Sequence, residues 1–224
     1  MNKLNHVAFI MDGNGRWGLK HKKNRNLGHL EGVNTVKKIV DASIKFKIPI
    51  VTFYVFSSEN WLRPTKEIKY LFKLIHNYFE SELNNIIKNN IKINILGRSK
   101  NLPTKIRQIL KKTTELTKNN KKIIVNLAIN YGSKNEILDS LKKIKLNKLK
   151  ITENSINKCL YTRLPFPDIL IRTGGQKRLS NFMLWQLAYT ELFFLDKLWP
   201  EFNKNDLKNI INKYSKIKRN FGAI

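Results

Sequence analysis

Acidic residues are scarce in this chain: 16 Asp and Glu stand against 43 Lys and Arg, a formal net charge of +27 over 224 residues. Cysteine is scarcer still. Cys159 is alone, which excludes an intramolecular disulfide, fits a reducing cytoplasm and leaves the thiol as a small buried hydrophobe. No apolar stretch approaches the ~20 residues of a membrane-spanning helix. The chain has no G-x-x-x-x-G-K-[ST] spacing and no dinucleotide fingerprint, so two common phosphate-binding loops are excluded. Repeats and a clear linker are missing too, so residues 1–224 read as one domain with one sizeable core. The start, Met1-Asn2-Lys3 before a short apolar run, faintly resembles a signal peptide, but Asp12 and Arg16 interrupt it too early.

The positive charge implies anionic partners: nucleic acid, acidic headgroups or phosphorylated substrates. Its distribution narrows that choice. Lysines are spread along the whole chain among Asn and Ile, which reads as compositional bias, not a nucleic-acid stripe. The arginines are few and placed. Arg16, Arg25, Arg63, Arg172 and Arg178 fall in or beside the polar segments that look like a site.

Apolar, β-branched runs predict strands at 6–11, 50–56, 91–96, 123–129, 168–172 and 192–195, with helical periodicity between them. This alternation predicts a parallel sheet with helices on both faces, and ligands beyond the carboxyl ends of its strands. The clearest helix runs from Lys66 to Lys88, with Pro64 and Thr65 as entry turn and cap. Its stripe of Ile68, Leu71, Phe72, Ile75, Phe79, Leu83 and Ile86 either packs the core or partly lines a cavity for an apolar ligand. Lys142 to Asn157 reads as an irregular surface connection, and a last helix as spanning about Asn205 to Asn220.

Three polar segments follow predicted strands. In Asp12-Gly13-Asn14-Gly15-Arg16-Trp17, a carboxylate ends a strand, glycines let backbone N–H groups approach a ligand, and a guanidinium follows. That combination suits a diphosphate with a divalent cation, and Mg²⁺ is the natural ion for one or two carboxylates plus phosphate oxygens. Arg25 and His29 come next; His29 either faces an anion at a helix start or is structural. In the second segment, Ser57-Ser58-Glu59-Asn60-Trp61-Leu62-Arg63, hydroxyls, an amide and an arginine crowd a strand end, as a site or as a Ser/Asn turn. The third, Arg172-Thr173-Gly174-Gly175-Gln176-Lys177-Arg178-Leu179-Ser180-Asn181, sets two arginines and a serine around a Gly-Gly turn, a second phosphate site. Further on, Glu191 enters an apolar strand, costly unless it pairs or binds metal. Two phosphate sites, a metal-capable carboxylate and an apolar helix suggest a reaction between two diphosphates, at least one with a greasy tail.

The strings H-V-A-F-I-M-D-G-N-G-R-W, F-S-S-E-N-W-x-R-P and I-R-T-G-G-x-x-R-x-S-N-F-x-L-W-Q-x-A-Y-x-E-L resemble the cis-prenyltransferases, in order from about residue 5 to 222. The resemblance implies an α/β domain with six mostly parallel strands, surrounding helices and an apolar tunnel, assembled as a homodimer. It implies repeated cis addition of isopentenyl diphosphate to farnesyl diphosphate, toward undecaprenyl diphosphate, the precursor of a cell-wall lipid carrier. An absence agrees: without an Asp-Asp pair, the aspartate-rich motif of trans-prenyltransferases is missing. By motif, Asp12 would bind Mg²⁺ as the key catalytic carboxylate, and Glu191 would complete the metal site. Gly13, Asn14, Gly15, Arg16, Trp17, Arg25 and His29 would hold the allylic diphosphate. Ser57, Ser58, Glu59, Trp61 and Arg63 would orient the reacting ends beside Asn60, proposed in the family to assist proton removal. Arg172, Arg178, Leu179 and Ser180 would grip isopentenyl diphosphate. A peripheral membrane contact is expected for product release, and no specific nucleic acid. Departures from the family pattern fall at Arg98, at Asn130-Tyr131-Gly132-Ser133, at Gln176-Lys177 and in the ending Arg219-Asn220-Phe221-Gly222-Ala223.

Overall fold

A computed structural model describes residues 3–218. Strands and helices alternate as predicted: β1 (His6–Ile10), α1 (Asn14–Lys22), α2 (Arg25–Lys45), β2 (Ile50–Ser57), a 3₁₀ turn (Ser58–Leu62), α3 (Thr65–Lys88), β3 (Ile91–Leu96), α4 (Thr104–Thr117), β4 (Ile123–Tyr131), α5 (Ser133–Leu146), α6 (Glu153–Cys159), β5 (Ile169–Arg172), β6 (Glu191–Phe194) and α7 (Lys204–Tyr214). The strands form one sheet in the order β3-β4-β2-β1-β5-β6. Every pairing is parallel, where a mostly parallel sheet was expected. The chain first builds toward β3 on one side of β1, then toward β6 on the other. Strand β1 is therefore the switch point, where such sheets open a crevice at the carboxyl ends.

Parallel strands covered on both faces are buried throughout, as β1 is: all five residues are buried, and all but His6 are apolar. On one face Phe9 stacks on Phe53 at 4.9 Å, and Trp199 stacks on Phe202 at 5.6 Å. On the other, Tyr54 stacks on Phe182 at 4.4 Å. Polar groups inside the sheet are paired in a ladder. His6 Nε2 meets Thr52 Oγ1 at 2.7 Å, Asn126 Nδ2 donates to the same hydroxyl at 2.9 Å, and Asn94 Nδ2 donates to Asn126 Oδ1 at 3.0 Å. Burial pushes the His6 pKa down to about 4.

Three expectations change. The segment 142–157 is mostly helical: α5 runs to Leu146 and α6 starts at Glu153. Ile144, Ile156, Cys159 and Leu160 bury together there, so tertiary packing orders a stretch whose periodicity is masked by lysines. Pro64 holds the cap position of α3 without a side-chain hydrogen bond, and Thr65 is already helical. Within the described residues the last helix ends at Tyr214; its expected end at Asn220 and the motif Arg219–Ala223 lie outside them. The departure at Arg98 is compensated: its guanidinium makes a two-pronged contact with Asp139, at 2.8 and 2.7 Å. That pairing holds the Asp139 carboxyl at about 2, against burial, which acts to raise it.

Candidate active site

The carboxyl ends of β1, β2 and β5 converge on one cleft of about 760 Å³. Among the expected residues, Asp12, Gly13, Asn14, Gly15, Arg16, Arg25, His29, Ser57, Glu59, Asn60, Arg63, Arg172, Arg178 and Ser180 line it. Trp17, Ser58, Trp61 and Leu179 do not line it. Trp17 packs against His21. Ser58 donates to Glu59 at 3.1 Å. Trp61 packs on Phe56 and Phe72, and its Nε1 donates to Asn130 Oδ1 at 2.8 Å. Leu179 packs against the buried cluster around Phe182.

Asp12 is held at the centre. Arg172 Nη2 donates to its Oδ2 at 2.9 Å, and Arg16 Nη2 to its Oδ1 at 3.3 Å. Its backbone carbonyl takes the Trp199 N–H at 3.0 Å and the Thr173 hydroxyl at 2.8 Å. Arg172 is almost fully buried, yet it meets Asp12, the Ser180 hydroxyl at 2.8 Å and the Arg178 carbonyl. A buried guanidinium needs such partners to stay charged and placed. Gly174 lets the second arginine in. It adopts φ +87°, and a Cβ there would stand 2.5 Å from Arg16 Nη2, whose nitrogen donates to the Gly174 carbonyl at 2.7 Å. The turn after Arg178 places Ser180 and Asn181 at φ 49° and 61°, the left-handed region that side chains rarely adopt. In the departure at Gln176, the amide oxygen accepts from Arg178 Nη1 at 2.6 Å.

Sequence reasoning missed Glu67. It lies in the first turn of α3 and gathers two guanidinium groups and an imidazole: Arg63 Nη1 at 3.2 Å, Arg25 Nε at 3.6 Å and His29 Nε2 at 3.4 Å. The Arg25 fork lies over Gly15, where a Cβ would fall 2.7 Å from its Cζ. Glu67 thus restrains Arg25 from its Nε side while the Nη pair faces the first glycine segment. The spacing Arg63–Glu67, four residues across a helix start, was its only trace in the sequence. His29 is therefore a turn inside α2, aimed at Glu67, and not at a helix start. Burial lowers its pKa against the opposing pull of Glu67. Tyr54 and Asn181 also line the cleft unanticipated. The Tyr54 hydroxyl donates to the Ser180 carbonyl at 3.2 Å, and Asn181 Nδ2 to Glu59 Oε1 at 2.7 Å.

An apolar cavity of about 110 Å³ adjoins the cleft and shares Met11, Asn14, His29, Val55 and Leu71 with it. The stripe on α3 divides between the two readings. Ile68, Phe72, Phe79, Leu83 and Ile86 are buried, whereas Leu71 and Ile75, with Phe79, line the cavity. Its lining is almost wholly apolar, and an open tunnel along α3 is not seen among the described residues.

Glu191 does not join Asp12 within one chain. It pairs with Ile169 at the start of β6, level with Val7. Three residues of strand rise to Ile10, about 10 Å, and the turn beyond it separate that level from Asp12. Among the described residues no three His, Cys, Asp or Glu side chains gather as a metal cage. Asp12 alone, with two bound phosphate groups' worth of arginine around it, still fits an ion that takes one carboxylate, phosphate oxygens and water. Asn14 Oδ1, buried at the seam of cleft and cavity, has no hydrogen-bond partner in the protein. Such an orphan marks a place for ligand or water.

A doubly wound sheet whose switch-point crevice carries two arginine clusters on one carboxylate, beside an apolar pocket, defines an enzyme handling phosphorylated, greasy molecules. Residues 10–222 match the family described as putative undecaprenyl diphosphate synthase. An isoprenyl transferase of Fusobacterium nucleatum is 44% identical over 98% of this chain and 96% of its own length. One from Rickettsia felis is 45% identical over 99% and 95%. The crystal structure of a probable undecaprenyl diphosphate synthase from Campylobacter jejuni superposes with a TM-score of 0.87, at 33% identity, over 99% of this chain and all of that one. Lavandulyl diphosphate synthase from Lavandula x intermedia, solved with dimethylallyl diphosphate, gives 0.93 at 30% identity, covering 98% of each chain. The chain belongs to the undecaprenyl diphosphate synthase family and is a cis-prenyltransferase.

Proposed function

We propose that this enzyme condenses isopentenyl diphosphate repeatedly with farnesyl diphosphate in cis geometry, and that undecaprenyl diphosphate, precursor of a cell-wall lipid carrier, is its product. The observation that carries this reading is the convergence of two arginine sites on Asp12 in a cleft that opens into an apolar pocket. The first site, Gly13 to Arg16 with Arg25, takes the allylic diphosphate. The second, Arg172, Arg178 and Ser180, takes that of isopentenyl diphosphate. Their common neighbour Asp12 brings the two reactants within bonding range, the main gain from binding both at once.

The alkene of isopentenyl diphosphate attacks C1 of the allylic partner. The allylic diphosphate departs with the bonding electron pair, and a proton is lost to restore a double bond. Arg16 and Arg25 stabilise the charge growing on the departing group. Mg²⁺, held by Asp12 and diphosphate oxygens, would add Lewis-acid stabilisation when bound. Asn60 is a neutral amide whose oxygen already accepts the Ser57 N–H at 3.1 Å. It serves to position the proton acceptor, with a diphosphate oxygen as the base. The tail of the allylic partner lies along Leu71 and Ile75, and the pocket widens as the chain lengthens.

The exposed edge strand β6, with Leu192 and Tyr189 exposed, supports a homodimer contact there. No described helix is long and apolar enough to cross a membrane, and the enzyme meets the bilayer peripherally from the cytoplasm. The deciding experiment incubates the protein with labelled isopentenyl diphosphate, farnesyl diphosphate and Mg²⁺ and resolves products by chain length. A ladder of elongated products is expected. Absence of any condensation would overturn the reading.

A further inference from the structure

The turn between α5 and α6 exposes aliphatic side chains without covering them. Leu146 is 83% exposed, Ile151 74% and Leu149 45%. Lys142, Lys145, Lys148 and Lys150 are interleaved with them and exposed. Lys143 is engaged elsewhere, donating to the Cys159 carbonyl at 3.0 Å. No acidic residue occurs between Asp139 and Glu153. Asp139 is already paired with Arg98. The lysine bias of the whole chain explains the charge but not three uncovered aliphatics within six residues.

The exposure belongs to an ordered turn. The Leu149 N–H donates to the Ile144 carbonyl and that of Lys148 to Lys145, the paired bonds of a Schellman cap, with Lys148 at φ +51°. On the far side the Thr152 hydroxyl accepts the Ser155 N–H at 3.2 Å and caps α6. Both flanks are thus fixed, and Leu146 and Ile151 project from a defined surface.

We infer that this turn docks on a bilayer containing anionic lipids, its lysines at the headgroups and Leu146 and Ile151 in the interface. Charge complementarity selects the bilayer over a neutral surface, and uncovered aliphatics add apolar burial. Residues 138–155 contain no aromatic side chain, so the base stacking that serves single-stranded nucleic acid is unavailable. Position agrees as well. Helix α5 starts beside the cleft, where the Ser133 N–H donates to the Asn181 carbonyl, and runs back for 14 residues, about 20 Å. Helix α3 starts at Thr65, just after the cleft residue Arg63, and runs back in the same sense, carrying Leu71, Ile75 and Phe79 of the apolar pocket. The bilayer contact therefore leaves the diphosphate cleft open and lies at the edge toward which a growing tail extends. The inference rests on the prenyltransferase reading for its purpose, though the binding itself does not.

The test is sedimentation of the whole protein with phosphatidylcholine vesicles, with and without phosphatidylglycerol, beside the doubly substituted Leu146→Ser/Ile151→Ser and the triply substituted Lys145→Gln/Lys148→Gln/Lys150→Gln. Wild type should bind only the anionic vesicles. The lysine variant should lose well over tenfold in partitioning, since each lysine near such a surface contributes roughly fivefold. The serine variant should lose at least about tenfold, since two aliphatic side chains leave the interface. Turnover in detergent should be unchanged in both, which separates failure of this inference from failure of the assigned reaction. Equal partitioning of wild type and variants overturns the inference, as does wild type that ignores anionic vesicles. A fall in solution mass of either variant would reassign the turn to contact between copies, and selective loss of DNA binding would reassign it to nucleic acid.

Discussion

Replacing Asp12 by Asn keeps the shape of the side chain and removes one charge from the meeting point of both arginine sites. In the resting protein the carboxylate receives Arg172 at 2.9 Å and Arg16 at 3.3 Å. Arg172 is 4% exposed and Asp12 30%. A charge-assisted hydrogen bond contributes about 1.5–3 kcal/mol and a neutral one about 0.5–1.5. The difference, about 1 kcal/mol after discounting for the exposure of Asp12, should lower Tm by roughly 2–4 °C in a protein of this size. Catalysis should suffer far more. Loss of one preorganised charge at a reacting centre typically costs about 10²–10³ in turnover. Differential scanning calorimetry and a steady-state condensation assay on one preparation separate the two effects. Turnover near wild type would refute the central role of Asp12. A collapse of Tm by tens of degrees would instead make Asp12 chiefly the counter-ion of a buried arginine.

Further outcomes follow from the same geometry. Arg178→Ala should raise KM for isopentenyl diphosphate about tenfold with little change for the allylic substrate; steady-state kinetics with each substrate varied will show whether the second site is placed correctly. Glu67→Gln should raise the allylic KM by roughly fivefold, because Arg25 and Arg63 lose their shared anchor; an unchanged KM would reduce Glu67 to a packing role. His6 is neutral in the fold, with its pKa lowered from 6.5 to about 4. The unfolded chain binds the extra proton between those values, so stability is complete above about pH 6.5 and falls toward pH 4. The loss is at most about 3 kcal/mol. Denaturant titrations should show that slope, and it should be missing in His6→Gln. Trp199→Ala should cost about 3–5 kcal/mol and lower turnover too, because the indole packs against Phe9, Phe53 and Phe202 and so fixes the backbone N–H of residue 199 that donates to the Asp12 carbonyl.

Local chemistry was legible in the chain itself. Strand cores such as His6–Ile10 and Ile123–Tyr131 need apolar, β-branched residues wherever helices cover both faces, so their pattern survives in one dimension. The placement of arginines and glycines at strand ends marked both phosphate sites, because turns that let a backbone and a guanidinium approach one anion demand those residue types. Asp12, Arg172 and Ser180 were readable for that reason. Packing decided the rest. Glu67 is an ordinary first-turn acid until α2 and α3 lie side by side and bring Arg25 and His29 to it. Glu191 looked like a ligand from its costly place in an apolar strand, yet parallel register sets it level with Val7, toward the opposite end of the sheet from Asp12. The α5–α6 turn read as an irregular connection because lysines hide its periodicity, and only burial of Ile144 and Ile156 reveals two helices with uncovered leucines between them. Residue type and spacing determined which groups this protein brings to its chemistry. Strand order, register and helix docking, which depend on contacts between residues far apart in the chain, decided which of those groups meet.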